Sequence, residues 1–171
     1  HETANCISDA QIQAWMADFA ALRPAANPAP GTTMADAACM RAKMQRALAQ
    51  KGQLVGYKAG LTNPAVQAKF NTDAPVWGAL FSNMLLDDGA VVDAAFGARP
   101  LYEADMLVRV ADLGINDAST PAEVLAHVDQ VIPFIELPDL AVQEPGKLDG
   151  AAISAINVGT RLGVRGTPLA V

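Results

Sequence analysis

The spacing of apolar side chains predicts a helix near the start of the chain. Ser8 and Gln11 form a capping-box pattern, and apolar residues then recur every three or four positions as far as Leu22. The segment Arg23–Thr33 holds three prolines and a glycine. Because proline cannot continue a helix, this segment is predicted to be a connector.

A second helix is predicted after this connector. Thr33 and Asp36 repeat the capping pattern, and the helix is expected to end before Gly52. Its apolar stripe is interpreted as a packing surface rather than a cofactor site. The stripe consists of Ala37, Met40, Met44, Ala47 and Leu48.

Beyond Gly52, short runs of β-branched, aromatic and other apolar residues are typical of strands. The predicted strands are Gln53–Ala59, Val76–Phe81, Val91–Phe96, Leu101–Val110, Ile132–Leu137 and Arg161–Val171. Asp87-Asp88-Gly89 is predicted to form a turn. Because nothing follows the last strand, we expect it to leave an exposed sheet edge and the chain to be a fragment or a shortened member of a longer fold.

Three short helices are predicted between these strands. Asn63-Pro64 is an N-cap pattern, Thr120 and Glu123 form a capping box that predicts a helix over 121–131, and Ala151–Asn157 is the third. The order of elements predicts an α+β fold with an antiparallel or mixed sheet. We expect an N-terminal helical segment, 1–52, and a β-rich catalytic domain, 53–171, to form one compact unit.

Composition narrows the functional classes. The chain has 171 residues, 51% of them hydrophobic, which suits one domain with a substantial core. Its net charge of −6 opposes binding to nucleic acid and to anionic lipid. Its apolar runs are shorter than the roughly 20 residues of a membrane-spanning helix, so we expect a soluble protein. Because the chain starts at His1 instead of Met, we expect it to be a processed mature form or an excerpt, in which no targeting signal remains to be read.

Two cysteines, Cys6 and Cys39, lie too far apart in sequence for a zinc knuckle. They are interpreted either as a disulfide that ties the first two helices together or as two buried thiols. A disulfide would place the protein in the periplasm or outside the cell, and free thiols would place it in the cytoplasm.

Three acidic residues are the strongest candidates for a functional site. Glu103 and Asp105 alternate along a predicted strand, so their side chains leave the same face about 7 Å apart. Glu136 lies in an otherwise apolar strand, where an unpaired charge is costly. Three carboxylates favour Mg²⁺ or Mn²⁺ over zinc. Alternatively, Glu103 and Asp105 lie on a solvated face and pair with Arg99 or Arg109.

Lys58 is the candidate cationic group. It lies between Gly56 and Gly60 in an apolar strand, where it could meet a carboxylate or an enolate. The alternative is an edge-strand lysine that extends into solvent. His127 is interpreted as a surface or packing residue, and no nucleophile elbow or phosphate-binding loop is present.

Four segments, in this order, resemble the 2-keto-4-pentenoate hydratases of the fumarylacetoacetate hydrolase superfamily, which also includes 4-oxalocrotonate decarboxylases. The segments are Gly56–Gln67, Pro75–Phe81, Glu103–Asp105 and Pro133–Glu136. The resemblance covers about Asp36 to Val171. It implies a mixed β-roll or sandwich, and a family domain that continues beyond the position of Val171.

The resemblance also implies roles for the candidate residues. Glu103, Asp105 and Glu136 would bind Mg²⁺ or Mn²⁺, and Lys58 would be the catalytic or substrate-orienting lysine of a lyase acting on a small 2-oxo or 2-hydroxydienoic acid in aromatic catabolism. The reaction would be hydration, with decarboxylation, acylpyruvate-type hydrolysis and a silent binding homologue as alternatives. The hydratases usually carry an acid at the position of Val76. A residue without an acid at this position is closer to the decarboxylases. A homo-oligomer is also expected.

Overall fold

Two long helices precede two separate sheets along the chain. The computed structural model describes residues 5–171. The helices are α1 Asp9–Ala20, α2 Met34–Leu48, α3 Pro64–Lys69, α4 Pro121–Leu125 and α5 Gly150–Ala155. The strands are β1 Leu54–Gly60, β2 Val76–Phe81, β3 Leu85–Leu86, β4 Glu103–Val110, β5 Val128–Leu137, β6 Leu162–Arg165 and β7 Leu169–Ala170.

The predicted helix starts are confirmed by their capping hydrogen bonds. The Ser8 hydroxyl accepts from the Gln11 backbone N–H at 3.1 Å, and the Ser8 N–H donates to the Gln11 side chain at 2.9 Å. Thr33 caps α2 in the same way. A disulfide joins Cys6 to Cys39 and so ties the segment before α1 to α2. Disulfides persist in oxidising compartments, and the bridge therefore favours export. Export of this chain stays a prediction.

The two sheets have different topologies. β1 and β2 form an antiparallel pair, and the second sheet has the strand order β3-β6-β5-β4, with β7 also paired to β5. β3 and β6 run parallel, whereas β5 is antiparallel to β4, β6 and β7. The predicted α+β fold with a mixed sheet is therefore confirmed. No helix within residues 5–171 is long and apolar enough to cross a lipid bilayer.

The predicted strand Val91–Phe96 was wrong. These residues form a loop in which Val91 is fully exposed and the Asp93 carboxylate accepts from the Ala95 N–H at 2.8 Å. An aspartate that bonds the backbone two residues later stabilises a turn instead of a strand. The preceding turn is confirmed, since the Ala90 N–H donates to the Asp87 carbonyl at 3.1 Å.

Two predicted boundaries were also wrong. The helix predicted over 121–131 ends at Leu125, because Val128 and Val131 enter β5 and pair with β4. The last segment is not one edge strand. It divides into β6 and β7, and β6 lies inside the sheet between β3 and β5. The parallel contact with two-residue β3 covers the edge that was expected to be exposed.

The largest cluster of buried side chains joins the helices to the β1–β2 hairpin. It combines α1 and α2 residues with Ala79 and Phe81 of β2 and with Ala152 and Ala155 of α5. This core therefore contains residues from both 1–52 and 53–171. The packing is continuous across residue 52, and the division of the chain into two parts at this residue stays a prediction.

Substitution of Met44 measures how much this core contributes to stability. Met44 is completely buried in α2, so Met44→Ala is expected to lower the free energy of unfolding by about 2–5 kcal/mol, measured by urea denaturation. Met34→Ala at the exposed start of the same helix is the matched control, with an expected loss below about 0.5 kcal/mol. Equal losses from the two variants would contradict this account of the core.

Candidate active site

The register of β4 against β5 brings the three predicted acids together. Glu103 lies directly opposite Glu136, and Asp105 lies opposite Phe134 on the same face. One carboxylate oxygen from each acid lies within 4.8 Å of the other two. Alternation along two paired strands therefore produces a single acidic cluster, as the sequence pattern predicted.

The three acids differ in their exposure. Glu136 is 6% exposed, whereas Glu103 and Asp105 are open to solvent. The alternative pairing with arginine does not occur. Arg109 binds Asp129 through two hydrogen bonds of 2.7 Å, and Arg99 donates to backbone carbonyls at Val142 and Gln143.

Lys58 reaches this cluster from the other sheet. Its side chain is only 14% exposed, so it does not extend into solvent. The Lys58 ammonium donates to the Glu136 carboxylate and, at 2.9 Å, to the backbone carbonyl of Val158. The buried acid thus has the cationic partner that the sequence required of it, and the ion pair joins the β1–β2 hairpin to the five-stranded sheet.

Burial dominates the electrostatics of Glu136. Removal from water raises the pKa of its carboxyl group, the Lys58 ammonium opposes that increase, and the neighbouring Glu103 adds to it. Protonation therefore relieves both desolvation and repulsion between the two carboxylates. Any cation that reaches the cluster competes with that proton for the same oxygens.

The donor set fits a hard divalent cation. All three candidate ligands are carboxylates, and no thiolate or imidazole from residues 5–171 belongs to the cluster. In the described part of the chain, three carboxylates face the Lys58 ammonium, so the ionised cluster carries an excess of negative charge that a divalent ion would balance. Oxygen donors of this kind suit Mg²⁺ or Mn²⁺.

The sequence prediction missed the backbone contribution to the site. The Val158 carbonyl lies in a turn, Asn157–Gly159, that follows α5. The predicted helix Ala151–Asn157 was expected to end at the first residue of this turn. The three residues all have positive φ angles, between +56° and +65°. Asn157 and Gly159 are residue types that adopt this region readily, but no side-chain pattern indicates that the carbonyl between them meets a lysine.

Other candidate locations lie away from these residues. A cavity of about 610 Å³ opens beside Trp15, and one of about 490 Å³ opens beside Phe19, between the helices and Leu162 of β6. Neither is lined by the three acids or by Lys58. His127 is also remote in its contacts, since its ring nitrogen pairs with Asp112 at 2.7 Å.

Comparison with known proteins identifies the group to which this chain is related. No family model matches it. A 4-oxalocrotonate decarboxylase from Pseudomonas putida is 30% identical over 145 residues, covering 84% of this chain and 54% of the relative. The 2-keto-4-pentenoate hydratase 1 of Dechloromonas aromatica (strain RCB) is 33% identical over 96 residues, covering 56% of this chain and 36% of the relative.

A solved structure shares the fold. The 4-oxalocrotonate decarboxylase from Pseudomonas putida G7, complexed with magnesium and adipate, matches with a TM-score of 0.81 over 97% of this chain and 65% of that chain, at 24% identity. The curated relatives that this chain resembles in sequence are 2-keto-4-pentenoate hydratases and 4-oxalocrotonate decarboxylases. It spans about half the length of the decarboxylase relative in sequence.

The contribution of the Lys58–Glu136 pair can be tested by measurements of stability alone. Lys58→Met leaves a buried carboxylate without a cation. In EDTA at pH 8, where no metal ion can replace the lysine, we expect the free energy of unfolding to fall by about 3 kcal/mol, measured by urea denaturation. An acid with a raised folded-state pKa stabilises the fold while protonated and loses that contribution as pH rises, so the loss should be smaller at pH 5.

The double variant Lys58→Met/Glu136→Gln should recover most of that loss, because it removes the buried charge. Arg109→Met is the matched control, since it breaks a partly exposed pair with Asp129 and is expected to change stability little. Equal stability of Lys58→Met and the unsubstituted protein at both pH values would show that the ammonium does not compensate the buried carboxylate.

Proposed function

We propose that this chain is a divalent-metal-dependent lyase that acts on a small 2-oxo or 2-hydroxydienoic acid, with hydration of a 2-keto-4-pentenoate-type substrate as the reaction. The observation that carries the proposal is the convergence of Glu103, Asp105 and Glu136 beside the Lys58 ammonium. Hydratase and decarboxylase relatives support the reaction class.

Glu103, Asp105 and Glu136 would hold the metal ion. Their oxygens are close enough to share one cation, and the structural relative was complexed with magnesium. A bound Mg²⁺ or Mn²⁺ would supply positive charge that polarises an oxygen of the substrate. A 2-oxo acid suits such a site, because its carboxylate and its C2 oxygen can both approach the same cation.

Lys58 would transfer a proton or stabilise the developing negative charge on the substrate. Its ammonium has three N–H donors, and the Glu136 carboxylate and the Val158 carbonyl take two of them. The remaining N–H can pair with an oxyanion or deliver a proton to the substrate. The surrounding burial limits access of water to the amine, which strengthens its electrostatic effect.

Decarboxylation is the second candidate reaction. Val76, where the resembling hydratases carry an acid, is 3% exposed and packs with Ile153 and Val158. An apolar cluster at this position provides no side chain to activate a water molecule. A homo-oligomer stays part of the proposal and has no further support from the contacts within one chain.

Substitution of a metal ligand tests the proposed function. Glu136→Gln keeps the shape of the side chain but removes the charge, so Mn²⁺ affinity measured by calorimetry should fall at least about tenfold. Turnover of 2-hydroxypenta-2,4-dienoate with Mg²⁺, followed by its ultraviolet absorbance, should fall about 100-fold or more.

Asp129→Asn provides the matched control for this substitution. Asp129 lies on the same strand, β5, but pairs with Arg109 outside the cluster, so its variant should bind Mn²⁺ and turn over substrate like the unsubstituted chain. Metal binding and turnover that survive Glu136→Gln unchanged would overturn the proposal.

The products separate the candidate reactions. Incubation of 4-oxalocrotonate with the chain and Mg²⁺ should release no CO₂ if hydration is the reaction, whereas stoichiometric CO₂ would identify a decarboxylase. We expect 2-hydroxypenta-2,4-dienoate to give 4-hydroxy-2-oxopentanoate, detected by mass spectrometry as the addition of one water. Release of CO₂ without any hydrated product would replace hydration with decarboxylation.

A further inference from the structure

The turn beside Lys58 has an unfavourable backbone conformation. Asn157, Val158 and Gly159 have φ angles of +56°, +56° and +65° in succession. A β-branched valine disfavours this left-handed region strongly, because its side chain approaches its own backbone. Such a conformation persists only where surrounding contacts determine it. The contacts that hold this turn therefore decide where the Val158 carbonyl points.

Asn157 supplies the contacts that fix the turn to β2. Its side chain is completely buried, and its amide donates to the Ala79 carbonyl at 3.0 Å. The amide oxygen accepts from the Ala79 N–H at 2.7 Å and from Gln45 at 3.3 Å. One side chain thus satisfies both backbone groups of Ala79, as a neighbouring strand would.

Two glycines let the turn lie directly against the β1–β2 hairpin. A Cβ atom at Gly78 would lie 2.6 Å from the Asn157 carbonyl oxygen, and one at Gly60 would lie 2.5 Å from a Val158 methyl group. Gly78 is also the cross-strand partner of Lys58. The turn is therefore seated on the same short stretch of hairpin that carries the lysine.

We infer that Asn157 is a positioning residue for Lys58: by anchoring the turn to Ala79, it holds the Val158 carbonyl against the Lys58 amine. This inference rests on the proposed function, in which that amine acts on the substrate. The carbonyl is an acceptor that does not depend on Glu136, so the amine keeps a fixed direction whatever the Glu136 oxygens bind. The third N–H of the amine is then aimed consistently at the substrate.

Proton exchange at Lys58 tests this inference without any turnover. In the full chain labelled with ¹⁵N-lysine, the Lys58 ammonium signal is assigned by its loss in Lys58→Met. We expect Asn157→Ala to speed the exchange of these protons with water at least about tenfold, because the amine loses its carbonyl acceptor. In the turnover assay with Mg²⁺ and 2-hydroxypenta-2,4-dienoate, kcat should fall about tenfold and KM should change less than about twofold.

Ser154→Ala is the matched control for Asn157→Ala. Ser154 is equally buried, and its hydroxyl accepts from Arg41 in α2, away from the turn. We expect this variant to lose stability without any change in Lys58 proton exchange. An equal increase of exchange in both variants would overturn the inference, because general loosening would then explain the effect.

A second pair of variants keeps Asn157 intact. Gly78→Ala places a Cβ against the Asn157 carbonyl and should displace the turn, so Lys58 exchange should again accelerate at least about tenfold. Gly56→Ala is its control, because its Cβ would meet only a Leu80 methyl group at 3.8 Å. If Asn157→Ala fails to fold, this pair decides the question by itself.

Unchanged exchange in folded Asn157→Ala, or in folded Gly78→Ala, would overturn the role of the turn. Failure of the proposed function has a different signature, since the unsubstituted chain would then neither bind Mn²⁺ nor consume substrate. In that case, the exchange measurements would still determine whether Asn157 positions the Lys58 amine.

Discussion

The antiparallel register of β4 against β5 is the constraint on which the site depends. Because successive side chains in a strand leave opposite faces, a shift of one residue would move Glu103 and Asp105 to the face away from Glu136. The opposite face carries Met106, Val108 and Ile135, which are about half exposed. The register thus determines that acids, rather than apolar groups, lie near the lysine.

The Lys58–Glu136 ion pair connects this register to the rest of the molecule. A buried carboxylate is costly without a partner, and its partner comes from the other sheet. The hairpin that carries Lys58 is in turn held by the packing of α2 and α5 and by the Asn157 amide. The position of the Lys58 amine therefore depends on the same packing that stabilises the helical core.

The side chains of the site were predictable from the sequence, whereas its backbone was not. Alternation placed Glu103 and Asp105 on one face, and the apolar neighbours of Glu136 indicated a buried charge that needed a partner. The Val158 carbonyl gave no signal, because every residue has one and its direction depends on tertiary contacts. Val124, Val128 and Val131 fit a helical stripe, but all three are β-branched, and Val128 and Val131 pair with Val110 and Val108 of β4. Val91–Phe96 has the composition of a strand and finds no partner strand among the described residues.

The central claim is that the three acids gather around one divalent cation beside the Lys58 amine. A crystal of the full chain grown with Mn²⁺ and measured for anomalous scattering tests it most directly. We expect one strong anomalous peak about 2.2 Å from carboxylate oxygens of Glu103, Asp105 and Glu136, beside the Lys58 amine that reaches the acids from β1 of the other sheet. An anomalous peak elsewhere with none between these acids, or no peak at saturating Mn²⁺, would contradict the account.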